Sequence, residues 1–257
     1  MPDTLFFIHI PKTAGTSLNA FFHRAFGEKE CLSLPVDNLR TKIEELSQAP
    51  AKEHRKIKYI HGHCPYGIHK IMPGNKLRYV TLLRDPVERT ISSYYHIQKF
   101  PNHPLHNEVK KMTVVEFSTQ KQWPQFYNSS TRLLGCEMED FTLPYYRRFN
   151  ETQANEEYYR RARNRLEDEI IFGIQEHFTM TQMFFKRKFK LKHSGHTGKL
   201  MANPNKPEKS TFSKSEIHKI REAQKFDQAL YDFAKGNFLE QCIKYELKLA
   251  PSLEAKM

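Results

Sequence analysis

Three short segments carry side chains whose types and spacing could do chemistry. Pro11-Lys12-Thr13-Ala14-Gly15-Thr16-Ser17 joins a mobile cation to a small-residue turn with three hydroxyls. Between a strand and a helix, such a turn turns its backbone N–H groups and the positive helix end toward an anion. Arg84-Asp85-Pro86 is followed by Ser92, a guanidinium fork and a hydroxyl of the kind that suits a phosphate monoester. His61-Gly62-His63 puts two imidazoles two residues apart, on one face if the strand continues. An imidazole in a cleft suits general-base work near neutral pH, where the rate would rise through a pKa of about 6.5.

Each segment also has a plainer reading. The loop is equally a strand-to-helix turn whose hydroxyls only cap, Arg84 can pair with Asp85 or Glu88, and lone histidines are usually structural. The loop is not a Walker A motif, which needs Gly, four residues, then Gly-Lys-Ser/Thr; here Lys12 precedes Gly15. His61 and His63 lack a third ligand at metal spacing, so no metal is expected. Cys64 lies beside His63, but Pro65 marks a turn and sequence neighbours seldom form a dyad.

The elements that must position these groups can be read from hydrophobic period. Residues 4–10 form a nearly continuous apolar, β-branched and aromatic run, a strand buried on both faces. Leu18, Phe21, Phe22 and Phe26 then recur at helical spacing up to Gly27. A polar helix is expected over 36–48, strands over 56–60 and 77–83, and a helix from Pro86 to about Lys99. Residues 102–149 read as short helices and loops. Further on come a charged helix over 156–169, a strand over 170–174, a helix over 178–189, a loop over 193–212 and two C-terminal helices from about Ser213 and Asp227. Strands alternating with helices predict an α/β fold, a P-loop-like central parallel sheet flanked by helices with a helical C-terminal part, as a single domain over 1–257.

The 257 residues are 39% apolar and 12% aromatic, enough for a sizeable core, which excludes whole-chain disorder. No apolar stretch approaches the roughly 20 residues of a membrane span, and the start lacks a basic signal flank, so a cytoplasmic chain is expected, with attachment at a membrane surface left open. Four dispersed cysteines read as reduced thiols. A net charge of +12 favours an anionic ligand.

Taken together, the motifs resemble a known family. Phe7-Ile8-His9-Ile10-Pro11-Lys12-Thr13-Ala14-Gly15-Thr16-Ser17 looks like the 5′-phosphosulfate loop of sulfotransferases related to the heparan sulfate and uronyl 2-O-sulfotransferases. Leu83-Arg84-Asp85-Pro86 with Ser92 looks like their 3′-phosphate motif, and Tyr59-Ile60-His61-Gly62-His63 like their catalytic histidine segment, in the family's order. Weaker similarity runs through 128–135, 172–174 and 230–234.

The resemblance implies sulfuryl transfer from 3′-phosphoadenosine 5′-phosphosulfate (PAPS) to a hydroxyl acceptor, a glycan or glycoconjugate. It implies Lys12 at the bond between sulfuryl group and leaving phosphate, with Thr13, Gly15, Thr16 and Ser17 on the 5′-phosphate. Arg84 and Ser92 would hold the 3′-phosphate, and Asn205 and Lys206 would lie in a loop closing over the nucleotide. His63 would be the base and His61 its neighbour. His9 and Arg132 are the acceptor-side candidates, with Trp123, Phe126, Tyr127, Tyr145 and Tyr146 as aromatics that could stack on sugars. One departure stands out: uronyl-sulfating members carry Arg at the position of His9, which speaks against a uronic acid acceptor.

Two other readings share these features. A nucleotide-dependent small-molecule kinase would use the same strand, loop and helix. A non-catalytic polyanion or nucleic-acid binder would use the basic run Lys186, Arg187, Lys188, Lys190, Lys192 and Lys199 with Phe184, Phe185 and Phe189 between.

Overall fold

The computed structural model describes residues 4–137, 154–192 and 207–244. Five strands, β1 (Thr4–Ile8), β2 (Cys31–Leu34), β3 (Tyr59–Gly62), β4 (Leu77–Leu83) and β5 (Ile170–Ile174), form one sheet in the order β2-β3-β1-β4-β5. Every pairing is parallel. β1 is central and all five of its residues are buried, as its uninterrupted apolar run requires.

Helices fill the connections: α1 (Gly15–Phe26), α2 (Leu39–Gln48), the short α3 (Ala51–His54), α4 (Pro86–Lys99), and the one- to two-turn α5 (His106–Val109), α6 (Val114–Ser118) and α7 (Ser129–Gly135). α8 (Glu156–Asp168) leads into β5, α9 (Phe178–Lys188) follows it, and α10 (Lys214–Ala223) and α11 (Lys225–Lys244) end the described chain. The expected α/β architecture is what forms. Local chemistry accounts for the helix starts: Asp85 accepts the Glu88 N–H at 2.9 Å with Pro86 at the first position of α4, and Ser213 and Glu216 form a capping box on α10.

Sequence reading missed β2. Cys-Leu-Ser-Leu is four residues on a sheet edge with only Leu34 buried, too short and too exposed to leave a hydrophobic signature. The expected polar helix begins late, at Leu39 after a 3-10 turn, and β3 lies over 59–62 rather than 56–60. No helix among the described residues is long and apolar enough to cross a membrane.

Two apolar clusters divide the interior. The larger encloses the sheet and includes Phe6, Phe7, Phe22, Tyr59, Phe172, Phe184 and Phe185. The smaller joins α4 to α6 and α10 through Val87, Ile91, Phe117, Trp123 and Ile220. Phe184 and Phe185 are fully enclosed while Lys186 and Arg187 are exposed. The described part of the basic run, up to Lys192, is thus largely a solvated face over a buried stripe, and these two rings cannot stack on a nucleic-acid strand.

Candidate active site

Register brings the chemically active segments together. Ile8 of β1 lies opposite Gly62 of β3 on one side and Thr81 of β4 on the other. His9 and His63 therefore emerge side by side, and Arg84, two residues beyond the level of His9, follows β4 at the same edge, the carboxyl ends of three adjacent strands, where open α/β sheets bind ligands.

The loop from β1 to α1 is bent by two left-handed residues, Lys12 (φ 65°) and Ala14 (φ 68°). The Thr13 hydroxyl donates to the Ile10 carbonyl at 2.8 Å and is fully buried. That hydroxyl shapes the loop from within. Ala14 at the start of α1 provides no side-chain cap. Thr16 is exposed, whereas Gly15 and Ser17 are buried.

Gly15 is required by close approach. A Cβ there would lie 1.9 Å from His9 Nε2, so the His9 imidazole rests directly on the loop backbone. That ring also stacks on His63, centroids 4.4 Å apart. His9 therefore contacts both the loop and the candidate base. Burial, followed by the neighbouring His63 and His61, holds His9 well below the ordinary imidazole range, so it is neutral at pH 7.

His63 Nδ1 lies 2.6 Å from the His9 carbonyl oxygen. A carbonyl only accepts, so Nδ1 carries the hydrogen and Nε2 keeps its lone pair. Burial lowers the His63 pKa, partly countered by this backbone bond. His61 differs. Its Nδ1 lies 3.1 Å from the Asn19 side-chain nitrogen and its Nε2 lies 3.2 Å from His23 Nε2, so both ring nitrogens are engaged. Burial, then His23 and His63, push its pKa down to about 4.

Arg84 joins the two nucleotide-type motifs. It donates to the Lys12 carbonyl at 3.0 Å and pairs with Glu88 at 3.1 Å, and its buried Nε has no hydrogen-bond partner. Burial first and Arg84 second bring the Lys12 pKa down to about 8. The Glu88 pairing foreseen as the plain alternative is thus present, and the guanidinium also reaches the loop. Ser92 is half-buried on α4. Lys209 Nζ lies 2.9 Å from Asp85 Oδ2, so the described end of the 193–212 segment is tied to the start of α4. Asn205 and Lys206 lie outside the described residues, as do Tyr145 and Tyr146.

Arg132 does not join this group. It is 2% exposed within α7 and offers an acceptor almost no surface; burial lowers its pKa to about 10. Its segment has another task. Asp227 accepts the Ser130 and Thr131 N–H groups at 3.1 and 2.7 Å and pairs with Arg89 at 2.9 Å, all buried. Asn128, Gln224 and Ser129 complete this knot of α4, α7 and α11. Trp123 is likewise in the smaller apolar cluster, with Phe126 packed against it. Cys64 is buried with its thiol pushed up by desolvation, the opposite of a nucleophile's environment.

Sequence reading also missed Asn19, His23 and His96. His96 stands one turn after Ser92 on α4, its pKa brought to about 4 by burial and then by Lys12, His103 and Lys99. The i, i+4 step from Ser92 was the available signal.

The family description "Sulfotransferase family" matches residues 2–234. The chain belongs to the sulfotransferase family. Heparan-sulfate 6-O-sulfotransferase 1-B of Danio rerio is 25% identical across 93% of this chain and 67% of its own length. A protein-tyrosine sulfotransferase of Arabidopsis thaliana is 27% identical over 49% of this chain and 26% of its own. The solved mouse sulfotransferase SULT7A1 complexed with PAP aligns over 89% of this chain and 67% of that one, at 14% identity and a TM-score of 0.44. This sulfotransferase-family chain spans about a quarter to two thirds of the length of these relatives. The resemblance seen in the motifs holds for the family, and the heparan-sulfate relative named here is a 6-O rather than a 2-O enzyme. A kinase reading is set aside by the same match.

Proposed function

We propose that the chain moves a sulfuryl group from PAPS to a hydroxyl of a carbohydrate acceptor, with His63 as general base. The observation that carries this reading is the His63–His9 carbonyl hydrogen bond, which leaves His63 Nε2 able to take a proton beside an anion-binding loop. The residues fit the donor: two left-handed backbone positions, an uncapped helix start, Lys12, and an Arg84 with a spare donor.

The bound donor supplies the sulfuryl group and a phosphate leaving group. His63 Nε2 accepts the acceptor's proton as the acceptor oxygen bonds to sulfur and the bond from sulfur to the 5′-phosphate oxygen breaks. Lys12 and the loop N–H groups meet the charge that collects on that oxygen. Arg84 and Ser92 hold the 3′-phosphate. Neutral His9 offers no cation to a sugar carboxylate. Kinship with a heparan-sulfate 6-O enzyme supports a glycan hydroxyl as acceptor.

The test is transfer of labelled sulfate from PAPS to a panel of heparan-type and other glycans and small alcohols. His63→Ala, shown folded by circular dichroism, should turn over roughly 10² to 10⁴-fold more slowly while binding 3′-phosphoadenosine 5′-phosphate (PAP) as before. Because burial lowers the His63 pKa, the wild-type rate should rise with pH through a value below the ordinary 6.5. A folded variant with wild-type turnover overturns the base. No transfer to any acceptor, with PAP bound no better than AMP, overturns the reaction.

A further inference from the structure

A line of side chains runs behind the proposed base and has no part in the reaction as described. Glu28 Oε1 lies 2.8 Å from His23 Nδ1, His23 Nε2 lies 3.2 Å from His61 Nε2, and His61 Nδ1 lies 3.1 Å from Asn19 Nδ2. The Tyr59 hydroxyl closes the line at 2.6 Å from Asn19 Oδ1. Asn19 and His23 are four apart on α1, so both project from the face that meets β3.

The hydrogens can be assigned from one end. The Glu28 carboxylate only accepts, so His23 carries a hydrogen on Nδ1, and its Nε2 is assigned as the acceptor facing His61. His61 then donates from Nε2 and accepts on Nδ1, where the Asn19 amide NH2 supplies the bond. The remaining Asn19 oxygen takes the hydroxyl hydrogen of Tyr59, which is fully buried and needs a partner. Each of the four contacts in the line then pairs one donor with one acceptor. The low pKa of His61, near 4, keeps this ring neutral at pH 7.

We propose that Asn19 and His23, backed by Glu28, are positioning residues that act through His61: they fasten the helix whose first turn holds the sulfate donor to the strand that presents His63. His61 in this arrangement is the fastening point and not a second base, since both its nitrogens are already bonded. Backbone pairing holds the end of β3 to β1 and β2 only within the sheet plane. The side-chain line is a tie out of that plane to α1, and in-line transfer depends on the distance between donor and base in that direction. This proposal rests on the reaction assigned above.

Two measurements test it. Imidazole ¹⁵N spectra of the wild-type protein should show His61 protonated on Nε2 and bare on Nδ1, and Asn19→Ala or His23→Leu should turn that signal into a tautomer mixture. In sulfate transfer, His23→Leu should lower kcat about ten- to hundredfold, the usual cost of a reacting geometry displaced by about 1 Å, with PAP affinity unchanged. His23→Gln, which restores an acceptor for the His61 Nε2 hydrogen, should recover most of that loss. A folded wild type with His61 protonated on Nδ1, a folded His23→Leu with wild-type kcat, or a His23→Gln no better than His23→Leu overturns the proposal. Wild-type protein inactive toward every acceptor would instead overturn the reaction, and the spectra would still decide the hydrogen assignment.

Discussion

Arg84 and Arg89 are five residues apart in one motif and end in opposite settings. Arg84, at the strand end, keeps 14% of its side chain accessible and bonds to a loop carbonyl and a half-buried Glu88. Arg89 is sealed, with Asp227, Ser129, Gln224 and the Phe126 carbonyl around it. The first arrangement leaves positive charge available to a ligand. The second neutralises its charge within the fold and gains a joint between three helices. Residue type separates neither pair of roles; what separates them is whether the chain returns with an acid, as it does 138 residues later at Asp227.

The sharpest way to break this contrast is to remove that acid. Asp227→Ala leaves Arg89 buried without its counter-charge and strips two N–H partners from α7, and should cost about 3–5 kcal/mol in chemical denaturation. An unchanged midpoint would mean the knot is dispensable. Arg84→Ala should do the reverse: melting close to wild type, but the preference for PAP over AMP reduced by about 1.5–3 kcal/mol in titration calorimetry, the size of a charge-assisted bond. Equal loss of both nucleotides would assign Arg84 to the loop alone. Gly15→Ala forces a methyl into the His9 ring and should destabilise by about 1–3 kcal/mol, with turnover falling because His63 stacks on that ring.

The smallest effect concerns Lys12. Its pKa near 8 in the free protein means its charge fades as pH rises through that value. A bound anion favours the charged form, so donor affinity should weaken above about pH 8, and binding near pH 8 should take up protons when calorimetry is repeated in buffers of different ionisation enthalpy. Affinity flat from pH 7 to 9 would argue against Lys12 as the anion's partner.

The open half of this comparison was the more legible in sequence. A buried strand, a Lys-containing small-residue loop and an amphipathic helix are contiguous, so local pattern was enough to find residues 4–26. The Arg-Asp-Pro turn was visible for the same reason. What escaped depends on contacts between distant segments. Asn128 to Arg132 reads like a polar binding motif, and only the return of α11 explains it as the seat of Asp227. Asn19 and His23 look like ordinary helix residues until strand register puts His61 beside them, 42 and 38 positions later. β2 escaped because an exposed four-residue edge strand has almost no apolar pattern to detect.

The two left-handed residues in the nucleotide-type loop have a kinetic consequence. Lys12 and Ala14 each occupy a backbone region that residues with a Cβ resist by about 1–3 kcal/mol, and the folded surroundings hold them there. A loop kept in that shape by the rest of the fold needs no rearrangement when an anion arrives, so capture should proceed at the pace of diffusional encounter and tightness should be set by the rate of escape. Relaxing the bend with Ala14→Gly would let the empty loop wander among many shapes, and stopped-flow association with the nucleotide would slow even as the protein itself became more resistant to heat.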